Sequence, residues 1–230
     1  MAKLFKFIPA LDTADLSTAR RIAAAVGELD VVYGFKIGFA LGLAHGLPKV
    51  VEAIRASSSK PIIYDHQKAG TDIPDTGELF AQTLHYAGVD EAILFPHAGP
   101  RVLRSWAGAC AGAGLKVIVG GLMTHPGYVR SEGGFVADES VPEMYRIAHE
   151  EGVAAFVVPL TKPEDTRVIV EKAGLEDCEF YSPGFGSQGG DPAAFPFLRT
   201  HYLIVGRSLL GSPDPATYVR MVERDVARCR

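Results

Sequence analysis

The sequence predicts a single (β/α)8 barrel over residues 1–230, on three observations. Eight short apolar runs alternate with longer amphipathic stretches. The repeat is about 29 residues, the spacing of a compact barrel. The short runs are apolar throughout, as strands of a parallel sheet buried on both faces must be. A doubly wound open sheet is the runner-up. It usually has fewer units and a Gly-rich turn after its first strand, where this chain has Asp12-Thr13-Ala14-Asp15.

The predicted strands are residues 7–11, 31–37, 61–64, 91–95, 116–119, 155–158, 179–181 and 202–205. Each has strand length, and most are rich in β-branched or aromatic residues. Helical periodicity fills residues 16–26, 47–56, 73–85, 100–112, 141–150 and 162–173, and a segment over 213–228 closes the chain. No linker or low-complexity segment interrupts the pattern.

Composition agrees with a folded domain: 47% hydrophobic and 22% charged residues exclude disorder, collagen and coiled coil as the main state. No apolar run reaches the roughly 18 residues of a membrane span. The opening MAKLFKFIPALD has no long apolar stretch or small-residue cleavage site, which predicts no signal peptide. A net charge of −4 argues against nucleic acid or an anionic membrane as partner, yet allows a small anion held by local cations. Cys110, Cys178 and Cys229 lack metal-like spacing and fit a reducing cytoplasm.

Active sites of this fold lie at the C-terminal ends of the strands. The polar residues there are Asp12, Lys36, the Asp65-His66-Gln67-Lys68 run, His97, Thr124-His125, Gln188 and Gly206-Arg207. The strand-3 segment places Asp65, Lys68 and Asp72 within eight residues. A lysine between carboxylates stays protonated, suited to stabilising negative charge and then delivering a proton. The bland alternative is a surface salt-bridge cluster, with Asp75 at a helix N-terminus beside Pro74. Lys36 interrupts an apolar strand and needs a partner if buried; the strand-3 acids are the nearest, unless the side chain snorkels out of the mouth. The glycines of 182–192 and Gly206-Arg207 follow strands 7 and 8, where barrels recurrently bind phosphate. The alternative is a Gly-rich turn and a surface arginine. Residues 128–139 lack periodicity and read as a long loop, either a lid or an ordinary surface loop. His66, His97 and His125 do not have metal-site spacing, and no metal is expected.

Together these residues resemble the orotidine 5′-phosphate decarboxylase family. The resemblance rests on Ala10-Leu11-Asp12, Lys36-Ile37-Gly38, Asp72-Ile73-Pro74-Asp75-Thr76 and Met123-Thr124-His125-Pro126-Gly127. It continues through Ser182-Pro183-Gly184, Gln188-Gly189-Gly190-Asp191-Pro192 and Val205-Gly206-Arg207-Ser208. It implies decarboxylation of orotidine 5′-monophosphate to uridine 5′-monophosphate (UMP) without metal or organic cofactor, in a homodimer with shared sites. By the same resemblance Lys36, Asp65, Lys68 and Asp72 form the catalytic charge network, Lys68 protonating C6 and Asp72 coming from the other subunit. Asp12 and Thr76 contact ribose, Thr124 the pyrimidine, and Gln188, Gly206 and Arg207 the phosphate. Two features depart from the family: its Asp-x-Lys-x-x-Asp is here Asp-x-x-Lys-x-x-x-Asp, and Phe185 replaces a smaller aliphatic residue. The alternatives are a magnesium-dependent decarboxylase of a 3-keto-hexulonate-type sugar phosphate and a non-catalytic nucleotide-binding barrel.

Overall fold

Runs of β-branched and aromatic residues form the strands, and their alternation decides what faces the barrel interior. The computed structural model describes residues 4–66, 72–186 and 188–227. Its strands are β1 (Leu4–Leu11), β2 (Phe35–Gly38), β3 (Ile62–Asp65), β4 (Glu91–Leu94), β5 (Lys116–Gly120), β6 (Ala155–Val157), β7 (Glu179–Ser182) and β8 (Thr200–Val205). They pair in parallel, in chain order, and β8 closes on β1. The helices are α1 (Leu16–Val26), α2 (Phe39–His45), α3 (Leu47–Arg55), α4 (Gly77–Tyr86), α5 (Pro100–Gly112), α6 (Ser140–Glu150), α7 (Pro163–Ala173), α8 (Arg207–Leu210) and α9 (Pro215–Ala227). Among the described residues no helix is long and apolar enough to cross a membrane.

Successive side chains of a strand point to opposite faces. On β1, Ile8 and Ala10 face inward, where they meet Ile63, Ile93, Ile118, Val157 and Ile204. Phe7 and Leu11 face outward and pack with Ile22, Val26 and Ile54 in the layer between strands and helices. Both layers are buried, which explains why the strands read as continuous apolar runs.

α1 and α5 have the predicted limits. The Asp15 carboxylate accepts the N–H groups of Ser17 (2.9 Å) and Thr18 (3.2 Å) at the start of α1. Pro100 opens α5, where a missing N–H costs nothing. Two expectations need correction. The second strand starts at Phe35 rather than residue 31: Val32 makes only an isolated bridge to Phe7, and Tyr33 packs against the barrel interior. The predicted helix 73–85 is broken by Pro74, giving a 3-10 turn (Pro74–Thr76) before α4.

Candidate active site

Register places the charged residues of the barrel mouth. β2 lies between β1 and β3, with Ala10 opposite Lys36 and Gly38 opposite Asp65. Lys36 and Asp65 share the inward parity of Ala10 and Ile63, and Asp12 is two residues beyond Ala10. Both acids therefore stand two residues above Lys36, roughly 6.6 Å along the strand direction, on the two neighbouring strands. The four-carbon stem of lysine spans that rise. Lys36 Nζ lies 2.8 Å from Asp12 Oδ1 and 3.1 Å from Asp65 Oδ2.

Lys36 and Asp65 are buried, at 4% and 3% exposure, so neither ion would be tolerable alone. Burial pulls the Lys36 ammonium toward deprotonation. Asp65 and Asp12 outweigh it, and the net effect raises its pKa above the ordinary lysine value. Burial, with Asp65 beside it, also pushes the Tyr64 phenol up to about 12.

The ion cluster forms the floor of a cavity of about 250 Å³. Seven of the sequence-predicted residues line it: Asp12, Lys36, Asp65, Thr124, Gln188, Gly206 and Arg207. Ile93, Phe95, Met123, Val157 and Ile204 give it an apolar wall. Phe95 fits only because Gly120 has no side chain, since a Cβ there would lie 2.3 Å from the ring. Gly184 adopts φ +110°, in the region that favours glycine, and a Cβ there would lie 3.3 Å from both the Gln188 side-chain oxygen and the Thr161 methyl. Thr161 donates its hydroxyl to the Thr124 carbonyl (3.0 Å), tying the β5 and β6 loops together. Nothing in the sequence pattern singled out Thr161.

Asp72 and Thr76 lie outside the cavity lining. Asp72 is exposed, and the Thr76 hydroxyl donates to the Ile73 carbonyl (2.9 Å). Lys68 lies outside the described residues. Lys36 is paired inside the mouth rather than snorkelling out, and its partners include Asp12 of β1's loop besides a strand-3 acid. The segment after β5 is held to the body of the barrel. Glu132 pairs with Lys162 and accepts the Tyr128 N–H (3.1 Å), and Tyr128 meets His97 at 3.1 Å. Among the described residues no group of three or more His, Cys, Asp or Glu is arranged to hold a metal ion.

Residues 6–222 match the model of the orotidine 5′-phosphate decarboxylase / HUMPS family. The chain belongs to that family. It is 33% identical to an orotidine 5′-phosphate decarboxylase of Methanococcoides burtonii, covering 96% of this chain and 97% of the relative. It is 31% identical to the enzyme of that name from Thermoplasma volcanium, over 97% and 94% of the two chains. The structure is similar to orotidine 5′-monophosphate decarboxylase from Methanocaldococcus jannaschii complexed with the inhibitor BMP. That likeness has a TM-score of 0.81 and 29% identity, over 97% of this chain and 98% of the other. The barrel expected from the sequence is thus also the fold of a solved family member.

Proposed function

We propose that this barrel decarboxylates orotidine 5′-monophosphate to UMP, the carboxy-lyase step of pyrimidine synthesis, in the cytoplasm and without a cofactor. The observation that carries the reading is the buried Asp12–Lys36–Asp65 cluster at the base of a cavity that also holds Arg207. Full-length likeness to enzymes named for this reaction supports it.

The chemistry follows from the charges. Breaking the bond between C6 and the carboxylate leaves an electron pair in an sp2 orbital that the ring does not delocalise. A fixed ammonium stabilises that pair in a water-poor site, where charge interactions are stronger than in bulk water. Lys68 then delivers a proton to C6. Lys36 keeps Asp65 ionised and aimed into the cavity, so Asp65 faces the substrate carboxylate and holds the lysine charge. Asp12 and Thr76 bind the ribose and Thr124 the pyrimidine edge. Gln188, the Gly206 backbone and the Arg207 guanidinium take the phosphate. Phosphate binding, remote from C6, holds the ring in register.

The working unit in this reading is a homodimer of single-domain barrels. Asp72 is exposed and neither it nor Thr76 lines the cavity of its own barrel, an arrangement suited to completing the site of a partner copy. An absorbance assay with orotidine 5′-monophosphate, with and without chelator, tests the reaction: turnover should be unaffected by chelator. Chelator-sensitive turnover of a 3-keto-hexulonate-type sugar phosphate would replace it, and tight UMP binding without CO2 release would leave a non-catalytic barrel. Mixing Lys68→Ala with Asp72→Ala subunits should restore about a quarter of the activity if sites are shared.

A further inference from the structure

The turn that carries Asp72 is gripped from outside by α5. Trp106, 4% exposed, donates its indole N–H to the Ile73 carbonyl at 3.0 Å. The neighbouring Ser105 donates its hydroxyl to the Pro74 carbonyl at 2.7 Å. Two bonds to successive carbonyls fix both the position and the tilt of the peptide plane between them. The indole also packs in a tilted arrangement against Phe80 of α4, with ring centres 4.8 Å apart. A Cβ at Gly77 would lie 2.8 Å from the indole, so α4 starts directly against it.

A solvent-facing turn does not need this second grip. Thr76 already closes it from within, donating its side-chain hydroxyl to Ile73 at 2.9 Å. What α5 adds is a fixed location relative to the barrel wall. The residue immediately before the gripped carbonyls is Asp72, which is exposed and is not among the residues lining the cavity of its own barrel.

We propose that Trp106 and Ser105 are positioning residues for the reaction: by holding Ile73 and Pro74 they set where Asp72 stands. This rests on the role given to Asp72 above. Small displacements of such groups are costly, since misplacement by about 1 Å can lose a hundredfold in rate.

The test is a double-mutant cycle read in kcat/KM for orotidine 5′-monophosphate, with melting temperatures as a folding control. Trp106→Phe removes the N–H together with the pyrrole ring while keeping an aromatic side chain; it should lower kcat/KM about tenfold in the otherwise intact enzyme. In an Asp72→Ala background the same change should have almost no further effect, because the group it positions is gone. Ser105→Ala should behave alike, and Ser105→Thr should recover activity by restoring the hydroxyl; this pair carries the test if Trp106→Phe does not fold. An equal loss in both backgrounds, or no loss in the intact enzyme from either Trp106→Phe or Ser105→Ala, would overturn the inference. Full activity of Asp72→Ala by itself would instead overturn the reading of Asp72 on which it depends.

Discussion

The two ends of the barrel hold the same kind of cluster and use it differently. At the mouth, Lys36 lies between Asp12 and Asp65. At the base, Lys116, the first residue of β5, lies 2.5 Å from Glu179 Oε2 and 3.0 Å from the Tyr181 hydroxyl. Glu91 accepts hydrogen bonds there from Tyr33 and Tyr181. The Lys116 ammonium also stands about 5.5–5.9 Å from the ring centres of Tyr33, Tyr181 and Tyr202. Three aromatic rings fill the space at the base. At the mouth the corresponding space is a cavity edged by glycines and Arg207. A lysine between acids therefore does not by itself mark a site; what distinguishes the mouth is the room left beside it.

Each end can be perturbed separately. Lys36→Ala should have the largest effect, because it removes a buried charge that pairs with both Asp12 and buried Asp65. Breaking a buried pair costs about 3–5 kcal/mol, so the melting temperature should fall sharply and turnover by about a hundredfold or more. Normal turnover would separate the mouth cluster from catalysis. Arg207→Ala should weaken UMP by roughly 1.5–3 kcal/mol and leave uridine unchanged, measured by calorimetry; equal weakening of both would show that Arg207 does not meet the phosphate. Lys116→Met should cost about 1–2 kcal/mol of stability and leave kcat unchanged. A fall in kcat would show that the two ends are coupled.

The smallest effect expected is a slope with pH. Burial, ahead of its hydrogen bonds, raises the Glu91 pKa above the ordinary carboxylate value. The native state then holds this proton more tightly than the unfolded chain. Stability from this group is therefore greatest below the usual carboxylate range and declines as pH rises to the folded pKa. Lys36 acts in a different range: its raised pKa gives stability that is fully present below the ordinary lysine value and lost only as pH passes the folded one. Glu91→Gln should flatten the acid-side slope in urea melts recorded across pH. An unchanged slope would assign it to other groups.

The order of the eight strands was legible because each is buried on both faces and bounded by polar joints. α1 and α5 were legible because their apolar residues recur at helical spacing. α2 was not, because Phe39 and Leu43 face outward, at 42% and 81% exposure, and blur the amphipathic pattern. Seven mouth residues were legible from their position at or beyond the C-terminal ends of strands. The pairing of Lys36 with Asp12 was not, since it depends on the β1–β2 register, which pattern alone does not fix. The base cluster was missed although a signal existed: Glu91, Lys116 and Glu179 each begin a strand, where a polar first residue passes as an ordinary boundary.

The seam between β1 and β8 pairs Leu4 with Thr200 and continues through Pro9 with Val205. It joins strands roughly two hundred positions apart, the most non-local contacts of the barrel. A Cβ on Gly206, just past that seam, would come within van der Waals contact of Ala10 and Asp12. During synthesis on the ribosome, Asp12, Lys36 and Asp65 emerge with the first three strands, but the part of the cavity lined by Gly206 and Arg207 arrives only when β8 has emerged and docked. A truncated polypeptide ending before Thr200 would carry the ion cluster on an open sheet edge, charged but without an enclosed cavity.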